Sequence, residues 1–144
     1  MKYICIVASV LVFALLSSTV SAHEHHAPHK GTLVEFGEEF AHLELVIDQA
    51  TGKISGYVLD GEAEKPIRVA QTEIVLKVAK EDFSVTLKAV ANDLSGEKVG
   101  DTSEFEGQSD KLKGLKNFDA LVVAITVKGK EFKDVKFNFP KGNE

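Results

Sequence analysis

Four of the five histidines fall within residues 23–29, and the fifth stands at position 42. Imidazole is the commonest protein ligand for zinc, copper and nickel, so His23, His25, His26, His29 and His42 form the candidate metal set. Position sharpens the chemistry. If the chain is cut after Ala22, His23 carries a free α-amine and His25 is the third residue. An amino-terminal X-X-His tripeptide wraps Cu(II) or Ni(II) in a plane through the amine, two deprotonated amides and the third-residue imidazole. Those two ions favour such square-planar nitrogen sites. Glu24 at the second position has an amide proton to lose, as proline would not.

Two other geometries compete. An amino-terminal His23 chelates copper through its own amine and ring, and a further imidazole completes a T-shaped brace; His42 is the natural third nitrogen because it stands on a predicted strand. Alternatively, His26 and His29 join the others in a looser multi-histidine site suited to Zn(II). Against all three stands a solvated histidine-rich tail that binds metal only adventitiously. The acids Glu35, Glu38, Glu39, Glu44 and Asp48 lie near this tail; they could add oxygen ligands, and a solvated strand face is the preferred reading. The acidic stretch 60–64 lacks the ligand spacing of a calcium loop. No Gly-x-Ser-x-Gly, His-Glu-x-x-His or phosphate-cradling glycine loop occurs, and no acid, base and nucleophile fall together, so the sequence is read as a non-enzyme.

The reading depends on export. Lys2, an apolar run over residues 4–16, a polar Ser17-Ser18-Thr19 and a small-residue end at Val20-Ser21-Ala22 have the order of a cleavable secretory signal. The run is shorter than the ~20 residues of a membrane-spanning helix. Cleavage after Ala22 leaves 122 residues and removes Cys5 and Met1, the only residues of their types. Neither a disulfide, a thiolate nor a thioether ligand then remains. The remaining 16 basic and 22 acidic side chains give a mildly acidic surface, which argues against nucleic acid as a partner. The expected location is periplasmic or extracellular, with no membrane span after cleavage.

The elements that must position the histidines are strands. Residues 23–30 read as a flexible tail and residues 31–140 as one β-domain. Leu43, Leu45 and Ile47 alternate with His42, Glu44 and Asp48, a period of two that puts His42 with Glu44 on the face away from the core. Residues 40–60 read as a hairpin turning near Gly52. Further strands are expected over 67–69, at an edge after Pro66, and over 73–79, 83–91, 118–128 and 132–139. In the 118–128 strand Leu121, Val123, Ile125 and Val127 share one predicted face. Residues 92–114 form a loop holding a short strand near 103–106 and a helical turn near 109–115. Seven or eight short strands without a long helical segment predict an all-β antiparallel sandwich, Ig-like or cupredoxin-like in architecture, or a barrel.

The segments His26-Ala27-Pro28-His29-Lys30-Gly31, Ala41-His42-Leu43-Glu44-Leu45-Val46 and Tyr57-Val58-Leu59-Asp60-Gly61 resemble a group of small exported bacterial proteins. They are also similar to amino-terminal portions of periplasmic adaptors of heavy-metal efflux systems. Lys30 stands where those segments carry glycine. The resemblance implies metal handling, an efflux or other envelope protein as partner, and His29 with His42 as the pair to watch. A binding or structural module of the envelope with an incidental tail is the competing reading.

Overall fold

The computed structural model describes residues 25–143; the predicted signal segment, its cleavage site and His23 lie outside the described residues. Eight strands follow one another: β1 (Thr32–Phe36), β2 (Ala41–Asp48), β3 (Lys53–Leu59), β4 (Glu73–Val78), β5 (Phe83–Ala89), β6 (Glu104–Gln108), β7 (Phe118–Val127) and β8 (Lys130–Phe139). A single 3-10 turn, Asp110–Leu112, starts at Ser109, whose side chain accepts from the Lys111 amide. All pairings are antiparallel in one sheet of order β1-β2-β3-β6-β5-β4-β7-β8. Among the described residues no helix is long and apolar enough to cross a membrane.

The sheet curls until its end strands approach each other, so the expected all-β antiparallel domain takes a nearly closed, barrel-like form. Asn143 joins the ends by mimicking a peptide group. Its Oδ1 accepts from the Glu35 amide at 2.7 Å and its Nδ2 donates to the Glu35 carbonyl at 3.1 Å. Thr32 Oγ1 adds a bond to the Pro140 carbonyl. Such closure removes the exposed backbone edge that an open sheet presents. Inside lie Val34, Phe36, Leu43, Leu45, Ile54, Ile74, Leu76, Leu87, Phe105, Val122 and Ile125, all buried. Their burial follows from strict alternation in β2, β4 and β5, which turns one apolar row inward.

Two strand expectations need correction. Residues 67–69 form no named strand; Pro66 lacks an amide to donate, and the segment makes only isolated bridges, Leu59 with Pro66 and Val69 with Thr102. In β7 the inward set changes parity midway: Phe118, Ala120 and Val122 are buried, then Ile125 and Val127, while Val123 is exposed. The change falls where the β7–β8 ladder skips Val123 and where Asp134 has φ +50°. Val123 therefore does not share a face with Ile125.

The feature that matters for chemistry is the outer face of β1–β3. Burial in β2 runs unbroken from Ala41 to Leu45, on both faces. Residues 25–30, the part of the predicted tail within the described residues, lie across that outer face as a strap. Beneath it a second apolar cluster forms from Leu33, Leu59 and Ala63, with Ala27 and Tyr57 packed against it.

Candidate functional site

The strap is held at one end by Glu44. The β1–β2–β3 register puts Glu44 opposite Leu33 and Tyr57, in the middle of the covered face, and its side chain is fully buried. Three donors converge on it. The His29 and Gly31 amides each donate to Oε1 at 2.8 Å, and His29 Nδ1 donates to Oε2 at 2.8 Å. A buried carboxylate is tolerable only with such a full set of partners. The His29 ring then stacks on Tyr57, with centroids 3.8 Å apart. Gly31 is required by close approach, since a Cβ there would stand 2.6 Å from the Leu45 carbonyl oxygen. Lys30 sits between them with φ +59°, a left-handed conformation in which glycine is at ease and lysine is strained.

The other end of the strap is different. His42 is fully buried, and its Nδ1 lies 3.0 Å from the Asp60 carbonyl oxygen. A carbonyl only accepts, so Nδ1 carries a proton and donates. The His25 ring packs on the His42 ring with centroids 4.9 Å apart and planes tilted by 41°. A metal–nitrogen bond of about 2 Å puts two imidazoles bound side by side on one ion at about that separation. The His25 side chain is only 5% exposed. Its Nε2 is 3.5 Å from Glu39 Oε1, while its Nδ1 is buried with no hydrogen-bond partner. An orphaned buried nitrogen costs free energy unless something fills its place.

Loop chemistry holds both acceptors in position. The Asp60 carboxylate accepts from the Glu64 and Lys65 amides at 2.9 and 3.2 Å. Burial pushes the Asp60 carboxyl up, but these amides and the Lys65 charge outweigh it and hold the group below its ordinary value. Gly61 lies so close to the neighbouring turn that a Cβ would stand 2.0 Å from the Glu39 carbonyl oxygen.

A cleft of about 330 Å³ opens beside the strap, between Pro28 and His29 on one side and Arg68 and Glu97 on the other. Its polar groups are largely spent on one another. Glu97 accepts from the Ser103 amide, the Ser103 hydroxyl and the Ser95 hydroxyl, and Arg68 Nε stands 3.8 Å away. Burial raises the Glu97 carboxyl, and those hydrogen bonds with the Arg68 charge bring it below its ordinary value. Arg68 also bonds Asp101 and the Ser95 carbonyl.

Of the predicted metal set, then, His25 and His42 meet, His29 is engaged by Glu44 and Tyr57, His26 is exposed, and His23 lies outside the described residues. Among the described residues no group of three or more His, Cys, Asp or Glu forms a metal-holding cluster. Glu44, Glu39, Tyr57 and the Asp60 carbonyl are the partners that sequence reasoning missed. Glu44 read as solvated because its strand alternates cleanly, and nothing local marks a face that a distant segment covers. No family model, curated protein or solved structure matches this chain.

Proposed function

We propose that this chain is an exported β-domain that binds one transition-metal ion, Cu(II), Ni(II) or Zn(II), where the His25 and His42 rings meet, to buffer it or hand it to an envelope metal-efflux partner. The remaining donors are His23 and the amine that signal cleavage frees. His26 and His29 are outside this set: the first is solvated, and the second anchors the strap.

The observation that carries the reading is His25 Nδ1, buried and unpartnered against a second imidazole. Each of the two rings also has its other nitrogen facing an oxygen acceptor, Glu39 for His25 and the Asp60 carbonyl for His42. That is how ligating histidines are oriented in metal sites. The test is calorimetry on protein recovered from the exported fraction, its amino terminus established by mass spectrometry, titrated with copper and zinc salts. One equimolar site, weakened at least tenfold by His42→Ala, is expected. Binding no tighter than that of a histidine-tag peptide overturns the proposal.

A further inference from the structure

We infer that the cleft beside the strap is a docking site for a partner protein, and that it takes an arginine side chain of that partner. The cleft uses neither His25 nor His42, so this inference stands apart from the metal-binding reading and fails separately from it.

The walls of the cleft differ in chemistry. Pro28, Tyr57, Leu59 and Pro66 give it an apolar side. Glu64, Glu97 and Glu104 also line it, and Arg68 is the only lysine or arginine set against these three carboxylates. The Arg68 charge is already in use. Its Nη1 stands 3.3 Å from Asp101 Oδ2, its Nη2 donates to the Ser95 carbonyl, and its Nε faces Glu97. Glu64 and Glu104 differ from Glu97: among the described residues no hydrogen bond or ion pair engages either carboxylate. A group that matches this cleft carries one positive charge at the end of an apolar stem. Lysine and arginine both have that form, and both lay the stem along apolar surface while the head finds its partners. Arginine matches better, because its guanidinium is less strongly hydrated and its planar fork meets two carboxylate oxygens at once. The volume of about 330 Å³ is near the lower end of ligand pockets, roughly 300–1,000 Å³, and suits one long side chain.

A small organic cation would match the acids alone. The loop beside the cleft points to a larger occupant. Among the described residues three large apolar side chains are exposed, and two of them, Leu94 and Val99, stand on the loop 92–101. Leu94 is fully exposed and adjoins Ser95, which lines the cleft. The loop is tightly held. Asn92 Oδ1 accepts from the Leu94 and Ser95 amides at 3.1 and 3.4 Å. Asn92 and Glu97 exchange backbone bonds of 2.9 and 3.0 Å, and Lys98 and Asp101 exchange bonds of 3.1 and 2.8 Å. Arg68 joins the two turns through the Ser95 carbonyl and Asp101. An apolar side chain presented on a preformed turn loses little freedom when a partner covers it. A charged anchor in a pocket bordered by apolar contact is a common centre of a protein interface, where arginine is enriched and lysine depleted. A second copy of this chain has no anchor to offer, since Arg68 is its only arginine. The partner is therefore a different protein that presents an arginine next to an apolar residue. Pro28 and His29 form one wall, so a docked partner also touches the strap.

The test follows backbone amide shifts of nitrogen-15-labelled protein recovered from the exported fraction. The probes are acetylated, amidated Leu-X-Leu tripeptides, in which X is arginine, lysine, citrulline or glutamate, and acetylarginine amide alone. The arginine tripeptide is expected to move the Ser95, Glu97 and Ser103 amides. It should bind roughly fivefold more tightly than the lysine form and than acetylarginine amide, with the citrulline and glutamate forms leaving those amides in place. Glu64→Gln combined with Glu104→Gln should weaken it about tenfold, and Leu94→Ser about threefold, with melting temperature and copper affinity unchanged. A citrulline form that binds like the arginine form, a glutamate form that binds better, acetylarginine amide that binds as tightly as the tripeptide, or cleft amides that do not move each overturns the inference. So does a dimer in sedimentation that Leu94→Ser abolishes, because it gives the surface to a second copy. None of these results touches the metal-binding reading, and a protein that binds no metal leaves this inference standing.

Discussion

The two ends of the strap carry a histidine each, four positions apart, and the sheet treats them differently. At the His29 end both oxygens of the Glu44 anchor are spent: a buried carboxylate takes two amides and an imidazole, and the ring lies flat on Tyr57. At the His25 end the ring is more deeply buried, yet one nitrogen has no partner. The first is the pattern of a structural lock, complete in itself. The second is incomplete, and it is there that the proposed function puts the ion. The comparison teaches that histidines close in sequence can stand in different surroundings, one ring bound to a buried carboxylate and the other with a buried nitrogen left unpartnered.

The contrast breaks first at Glu44. Glu44→Ala leaves two amides and an imidazole without their acceptor under the strap and is expected to cost about 3 kcal/mol of stability. A drop of roughly 10 °C in melting temperature would register it, and a change within 2 °C would show that the lock holds nothing. Paired substitutions then separate the two ends. His25→Ala should reduce copper affinity about 100-fold, about 2.7 kcal/mol, with little change in melting. His29→Ala should do the reverse, losing ~1.5 kcal/mol of stability with copper affinity within about threefold of wild type. Calorimetry and thermal melts on the two variants decide this, and equal affinity losses would erase the distinction.

Two smaller effects sharpen it. Glu97 is a second buried carboxylate that pins a chain segment, but its partners are hydroxyls, an amide and Arg68. Its carboxyl is held below its ordinary value of 4.5, so the folded state favours the charged form. The stability this adds is present above about pH 4.5 and is lost as pH falls through the lowered value. Melts taken from pH 6 down to pH 3 should show that loss, and Glu97→Gln should flatten it. Last, Lys30→Gly relieves a left-handed lysine beside the lock and should raise stability by ~0.5–1 kcal/mol, readable by denaturant unfolding. A decrease would mean that the lysine side chain contributes more than its backbone costs.

Much of the fold was legible in the residues. Alternation in β2, β4 and β5 marked their inner rows correctly, and Gly52 marked the β2–β3 turn. The parity change in β7 was not legible, because Val122, Val123 and Ala124 are all apolar and carry no period at that point. Closure of the sheet was not legible either, since it depends on Asn143 meeting Glu35, residues 108 apart in sequence. The site was half visible. Alternation put His42 and Glu44 on one face, away from Leu43, and the structure agrees. Their burial was hidden because the cover comes from residues 25–30, whose composition reads as tail. The resemblance pairs His29 with His42; in the structure His29 meets Glu44, and His25 packs on His42.

The central claim, that the His25 end of the strap is the reactive one, is tested most directly by nitrogen-15 correlation spectra of the histidine rings in the mature protein. Without metal, His42 should be protonated at Nδ1 and His25 at Nε2. A tenth of an equivalent of Cu(II) should broaden the His25 and His42 signals while the His29 ring stays sharp. Broadening that begins at His26 or His29 and spares His25 and His42 would contradict the account.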